Sequence, residues 1–357
     1  MSIDLTTRYG GLVLKSPIIV GACQLTAEEM LRIAMISAGA GALVLPSLQE
    51  DQVILWNEQH GHGVDPSLEA VTDNEQVFEA AHRWPVETSW ENVAGYLELV
   101  QRVSCQNTIP VVASLNGQCN VHWLAIAQAL QLAGASAIEL HLNHASPSQY
   151  ASPREMENEL IETARQIREV LEIPLFLKLG RDYTSICHLV ERLHSTVQGV
   201  VLFGQSSEVD ISLDSLQVTN RWRLSYAGSI SNSLASILSV RNCCPVMSLA
   251  ASGGIGSSSD LIKALLVGAD VAMITSAVYR DGPTVIGTML EGLIRFMESH
   301  KLTNLSELTT KCRLQFEADH DRFADVKSTA TQFESASVRC ANRVMESDPW
   351  GHPRAPR

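Results

Sequence analysis

Eight short apolar runs punctuate the chain: Ile18–Gly21, Ala42–Leu45, Pro110–Ser114, Ala137–Leu142, Pro174–Leu179, Gly199–Phe203, Val246–Ala250 and Val271–Thr275. They are apolar at consecutive positions, as strands buried on both faces should be. Between them the pattern is helical. Leu31, Ala34, Met35 and Ala38 share one face, Leu261, Ile262, Leu265 and Leu266 follow a start at Ser257–Asp260, and Ile286, Leu290, Leu293 and Met297 point inward after Pro283. Thr26-Ala-Glu-Glu29 reads as a capping box that opens the first helix.

One junction repeats. Ala38-Gly39-Ala40, Ala133-Gly134-Ala135 and Val267-Gly268-Ala269 each end a helix and precede a strand. The glycine suits the left-handed position after a helix, and the alanine lets helix and strand pack closely. Eight such strand–helix units with right-handed crossovers predict an α/β protein, a closed (β/α)8 TIM barrel, with an open doubly wound sheet as the alternative. Two connections, 48–90 after the second strand and 205–231 after the sixth, are too long for plain loops and leave the strand C-terminal ends, where barrel enzymes build their sites. The periodicity fades after about residue 312. The expected organisation is a barrel over 1–312 and a C-terminal extension over 313–357 that is partly disordered or draped on it.

Composition narrows the partners. The 357 residues carry 26 Lys plus Arg against 39 Asp plus Glu, a net charge of −13, which disfavours nucleic acid and anionic membranes. No apolar stretch approaches a membrane span, and no signal peptide is visible at the N-terminus. The eight cysteines form no CxxC pair and read as reduced thiols, so a soluble cytoplasmic protein is the expectation.

The strongest chemical signal is Ala251-Ser-Gly-Gly-Ile255 after the seventh strand, with Thr275-Ser276 after the eighth. A phosphate at the top of a barrel commonly sits between these two loops, held by glycine N–H groups, hydroxyls and a helix N-terminus. The plain alternative is a tight turn. Lys178 lies in the fifth strand among apolar neighbours and needs an anion. It reads as the positive charge beside an anionic cofactor, as half of a structural ion pair, or as a Schiff-base nucleophile. Glu139, His141 and Asn143 alternate with apolar residues and so point together into the barrel. There His141 is a candidate partner for a heterocycle edge, and His144 beyond the strand a candidate general base, the alternative being a self-satisfied polar network. The His60-Gly-His62 pair lacks an identifiable third metal ligand and reads as a mobile loop.

These residues resemble class 1 dihydroorotate dehydrogenases over about residues 3–312. The similarity is carried by Leu5-Thr-Thr-Arg-Tyr-Gly-Gly-Leu12, Leu14-Lys-Ser-Pro17, Ala113-Ser-Leu-Asn-Gly117, Glu139-Leu140, Leu177-Lys-Leu179, Ser252-Gly-Gly254 and the stretch from Thr275-Ser-Ala277 through Asp281-Gly-Pro283, in the family's order. Val44-Leu-Pro-Ser47 is similar to the bacterial dihydroorotate dehydrogenase-like group. The resemblance implies a barrel flavoprotein, often a homodimer, with FMN across the strand C-termini and hydride transfer between a small, pyrimidine-like substrate and flavin N5. It places Ala22 and Ser47 along the flavin, and Lys178 at the pyrimidine end of the ring. His141 stands where the family has a contacting Asn, Gln205 (or Gly204 under a one-residue shift) matches an Asn after the sixth strand, and Gly253, Gly254, Thr275 and Ser276 hold the phosphate, with the Ser252 hydroxyl a further candidate donor. His144 falls on the base position, where the family has Cys or Ser, and Pro46 replaces the family's carboxylate-binding Lys. A catalytically silent flavin-binding relative, acting as a subunit or regulator, is the alternative function.

Overall fold

The computed structural model describes residues 3–61, 92–118, 122–143, 152–204, 208–221 and 223–311. Eight parallel strands close into one barrel in chain order: β1 Ile18–Val20, β2 Ala42–Gln49, β3 Val111–Gln118, β4 Ala137–Asn143, β5 Leu175–Leu179, β6 Gly199–Leu202, β7 Ser248–Ser252 and β8 Val271–Ile274, which returns to β1. The fold is the (β/α)8 barrel, and closure rules out the open sheet. Around it run helices α1 Glu29–Ser37, α2 Glu50–Gln59, α3 Val93–Gln106, α4 Leu124–Leu132, α5 Pro153–Glu169, α6 Ile186–Leu193, α7 Ser231–Cys243, α8 Ser258–Leu266, α9 Ser276–Asp281, α10 Thr284–Ser299 and α11 Leu305–Lys311.

Strand alternation divides the buried side chains into two cores. One face of each strand packs under the helices, as Leu43, Leu45, Leu115, Leu140, Leu177 and Leu249 do. The other fills the barrel with Ile19, Ala42, Val44, Val112, Ala137, Phe176, Val201, Ala250, Val271 and Met273. The N-terminal hairpin, strands Thr7–Tyr9 and Leu12–Leu14, adds Tyr9 and Leu14 to this inner core. Tyr9 stacks on Phe176 at 4.4 Å between ring centroids. Gly10 turns the hairpin at φ +53°, where a Cβ would fall 2.2 Å from the Phe176 ring. One end of the barrel is therefore plugged, and the strand C-termini form the other.

The repeated junctions behave as expected: Gly39, Gly134 and Gly268 have φ of +103°, +96° and +108°, and Ala40, Ala135 and Ala269 are buried. The Ser257 start of α8 is also present, its hydroxyl accepting from Asp260 N–H.

One local expectation is corrected, and the two connections read as too long for plain loops hold elements of their own. Thr26 does not cap α1, because its hydroxyl donates to Cys23 O and Val44 O from the end of a 3-10 turn, and α1 starts only at Glu29. The stretch after Leu48 is not all loop, since β2 runs to Gln49 and α2 follows directly. The connection after β6 contains an antiparallel hairpin, Glu208–Ser212 with Gln217–Arg221. Residues 62–91 of the first connection and the expected extension 313–357 lie outside the described residues.

Replacing Phe176 with Ala should empty the contact with Tyr9 and lower the unfolding free energy by about 3–5 kcal/mol, the range for deleting a buried aromatic. Urea unfolding measures it; a loss below about 1 kcal/mol would mean that the plug does not support the barrel.

Candidate functional site at the barrel mouth

The last inward position of each strand decides what faces the mouth. Asn116 of β3 pairs in register with His141 of β4, and His141 with Lys178 of β5. Lys178 is level with Val201 of β6, and Val201 with Ala250 of β7, so Ser252 lies one inward position further out. On β2 the register slips between Val44 and Ser47. Pro46, which has no N–H for the ladder, lies in that bulge. The extra residue reverses the alternation: Val44 faces the barrel, Leu48 packs under the helices, and Ser47 turns inward to share a 2.8 Å hydrogen bond with Ser114 Oγ. Ala22, just past β1, packs on the inner core.

Lys178 meets its anion inside the barrel. Its Nζ donates to Glu139 Oε1 at 3.2 Å; the Lys side chain is 15% exposed and the Glu side chain 1%. Glu139 Oε2 is buried without a hydrogen-bond partner. Burial, and then the Lys178 charge, push the His141 imidazole down to about 3, so it is neutral at physiological pH. Gly204 lies against it, since a Cβ there would come within 2.6 Å of His141 Nε2. Burial pushes the nearby Cys23 thiol up to about 11, which removes it as a thiolate nucleophile.

The glycine turn is held from behind. Gly253 and Gly254 have φ of +85° and +75°. A Cβ on Gly254 would sit 2.2 Å from Ile230 N, whereas one on Gly253 would meet nothing within 4 Å. Gly254 N–H donates to Ser225 Oγ at 3.1 Å, and Ser225 donates to Ser276 Oγ from both N–H and hydroxyl, at 3.0 and 3.1 Å. Asp260, 3% exposed, accepts from Gly228 N–H, Gly256 N–H and the Ser257 hydroxyl. The start of α8 thus satisfies its own carboxylate. Among the described residues, the Ser252 and Thr275 hydroxyls and the Gly253 N–H have no protein hydrogen-bond partner, and neither has the N–H of the buried Ile255.

The structure therefore brings Ala22, Ser47, His141, Lys178, Ser252, Gly253, Gly254, Thr275 and Ser276 to one end of the barrel. His144 and Gln205 lie outside the described residues, as does His62; His60 ends α2 with its Nδ1 against Trp56 O. Three participants had no assigned role. Ser225 is a lone serine that nothing in the sequence distinguishes, and Asp260 looked like an ordinary first-turn acid. Glu139 was visible as an inward-facing residue, and a search for the anion that Lys178 requires would have found it. A separate shallow cavity of about 280 Å³, lined by Gly10, Gly11, Val197, Gln198 and Met247 among others, belongs to the plugged end, away from all these groups.

A family model described as dihydroorotate dehydrogenase matches residues 87–297. The chain is 24% identical over 270 residues to an Aeropyrum pernix protein provisionally named dihydroorotate dehydrogenase A (fumarate), covering 70% of this chain and 86% of that one. It is 26% identical over 294 residues to the catalytic subunit of dihydroorotate dehydrogenase B (NAD(+)) of Methanocella arvoryzae, covering 78% and 88%. The protein of that name in Methanosarcina acetivorans is 23% identical over 313 residues, covering 84% and 93%.

The neutral imidazole has a consequence for stability. Unfolded His141 regains an ordinary value near 6.5, so below that pH the unfolded chain binds a proton that the folded chain refuses until about 3. This contribution is fully present above about 6.5 and is lost as pH falls toward 3, by up to about 1.4 kcal/mol per pH unit. Denaturation at pH 7 and pH 5 should show a steeper loss for the native chain than for His141→Asn; equal slopes would mean that His141 titrates freely.

Proposed function

The chain belongs to the dihydroorotate dehydrogenase family, and from that premise we propose that it is an FMN-dependent oxidoreductase that moves a hydride between a small, pyrimidine-like substrate and flavin N5. One observation carries this reading. A lysine on β5 and an open glycine turn at the end of β7 face the same barrel mouth, two strands apart. A phosphate needs donors that the protein leaves unpaired, and an electron-accepting ring needs a fixed positive charge at a distance set by the scaffold.

The residues fit the cofactor. Ser252, the Gly253 N–H and Thr275 would hold the phosphate. Gly254 and Ser276 would support it through Ser225, which binds both in this structure, or directly if Ser225 turns away. Lys178 would sit by the pyrimidine end of the ring and His141 beside it as a neutral partner, with Ala22 and Ser47 along the ring and Gln205 at its edge. When bound, FMN supplies a two-electron acceptor. The chain's share is to orient the substrate, exclude water and take up a proton, for which His144, one residue past β4, is the proposed base. The lysine that would pair with a substrate carboxylate is Pro46 here. Leaving a carboxylate unpaired in a dry site is costly. This favours a substrate other than dihydroorotate itself.

Purified protein should show the flavin absorption bands and release a compound with the mass of FMN. A colourless chain that cannot be reconstituted with FMN would overturn the proposal. With a substrate in hand, His144→Ala should slow flavin reduction about 10²-fold or more; an unchanged rate in stopped-flow would remove His144 from the reaction.

A further inference from the structure

We propose that Glu139 is a positioning residue for the flavin chemistry: from the closed side of the barrel it holds the Lys178 ammonium and sets how strongly that charge favours the reduced cofactor. The inference rests on the FMN reading above and adds a residue to it.

The geometry is directional. Glu139 is level with Phe176, within the inner apolar core, and Lys178 is the next inward residue toward the mouth. The carboxylate is sealed and the ammonium partly open, at 1% and 15% side-chain exposure. The pair is therefore a dipole along the barrel axis with its positive end at the mouth. The other titratable groups facing Lys178 do not offset it, since His141 is neutral and Cys23 is a thiol.

Stability alone is a poor reason for this pair. Val112, Phe176, Val201 and Ala250 pack the same interior without charge. A buried ion pair can often be replaced by apolar residues at no cost, because desolvation cancels most of its attraction. Here the cancellation is worse, because Glu139 Oε2 gave up its water and found no partner. What the carboxylate does accomplish is to fix a mobile four-carbon side chain in one place and to balance part of its charge.

The test is the redox equilibrium of the flavoprotein, measured by dithionite titration against a dye of known potential. Yellow wild-type protein is the starting point; colourless wild type would refute the FMN reading rather than this one. Glu139→Gln removes the balancing negative charge and should shift the equilibrium at least tenfold toward reduced flavin, about 30 mV for a two-electron couple. Lys178→Gln should shift it by a similar factor the other way. Glu139→Asp keeps the charge but withdraws it, and should move the equilibrium in the same direction as Glu139→Gln, by less. A purely structural pair would lower flavin occupancy without such opposed shifts. The inference fails if the two Glu139 variants keep flavin with equilibria within twofold of wild type, if both fold but hold no flavin, or if neither folds.

Discussion

Closure of the sheet is the constraint from which the rest follows. Once eight strands share a lumen, every inward side chain is a neighbour of every other at its level, whatever its distance in sequence. Asn116, His141 and Lys178 come from strands separated by helices α4 and α5, yet they occupy one row of the register. Phe176, one inward position beneath Lys178 and backed by Tyr9, together with the apolar Val201 and Ala250 that continue the row, makes the barrel a solid support open at one end. Polar groups at the strand C-termini are then held on rigid elements.

That constraint also explains what was legible from the sequence. Consecutive apolar runs and the three Gly-Ala junctions encode strands buried twice and helices that end in a left-handed residue, and both are local. Inward alternation on β4 and β5 was likewise readable, because Glu139, His141 and Lys178 stand out against aliphatic neighbours. Ser47 was not readable in this way. Strict alternation from Val44 would turn it outward, and only the bulge at Pro46 brings it to Ser114. Only resemblance singled it out, and the structure shows its inward direction alone. Thr26 shows the opposite error. A capping pattern is a local signal, but the hydroxyl found better acceptors in Cys23 and in the neighbouring strand.

The glycine turn illustrates how tertiary contacts redistribute a motif's donors. In isolation, two glycines, a helix N-terminus and three hydroxyls appear equally available to an anion. In the fold, Asp260 takes the donors around the start of α8, and Ser225 takes Gly254 and Ser276. The segment Gly228–Ile230 is thereby fastened against the back of Gly254, so the turn cannot collapse toward it. An internal anion of this kind costs little, because its Oδ2 meets two backbone donors and one hydroxyl already in place. The turn keeps fewer free donors and gains a fixed shape.

The same contrast separates the two buried carboxylates. Asp260 accepts three hydrogen bonds and organises backbone. Glu139 accepts one, from a flexible ammonium, and leaves an oxygen unpaired. A carboxylate retained for architecture is surrounded by donors, because every unmade bond in a dry interior weakens the structure. A carboxylate so poorly satisfied contributes mainly through its field. At the base of a mouth whose neighbouring imidazole stays neutral, that field acts on Lys178 and, through it, on whatever charge develops above the ring of side chains.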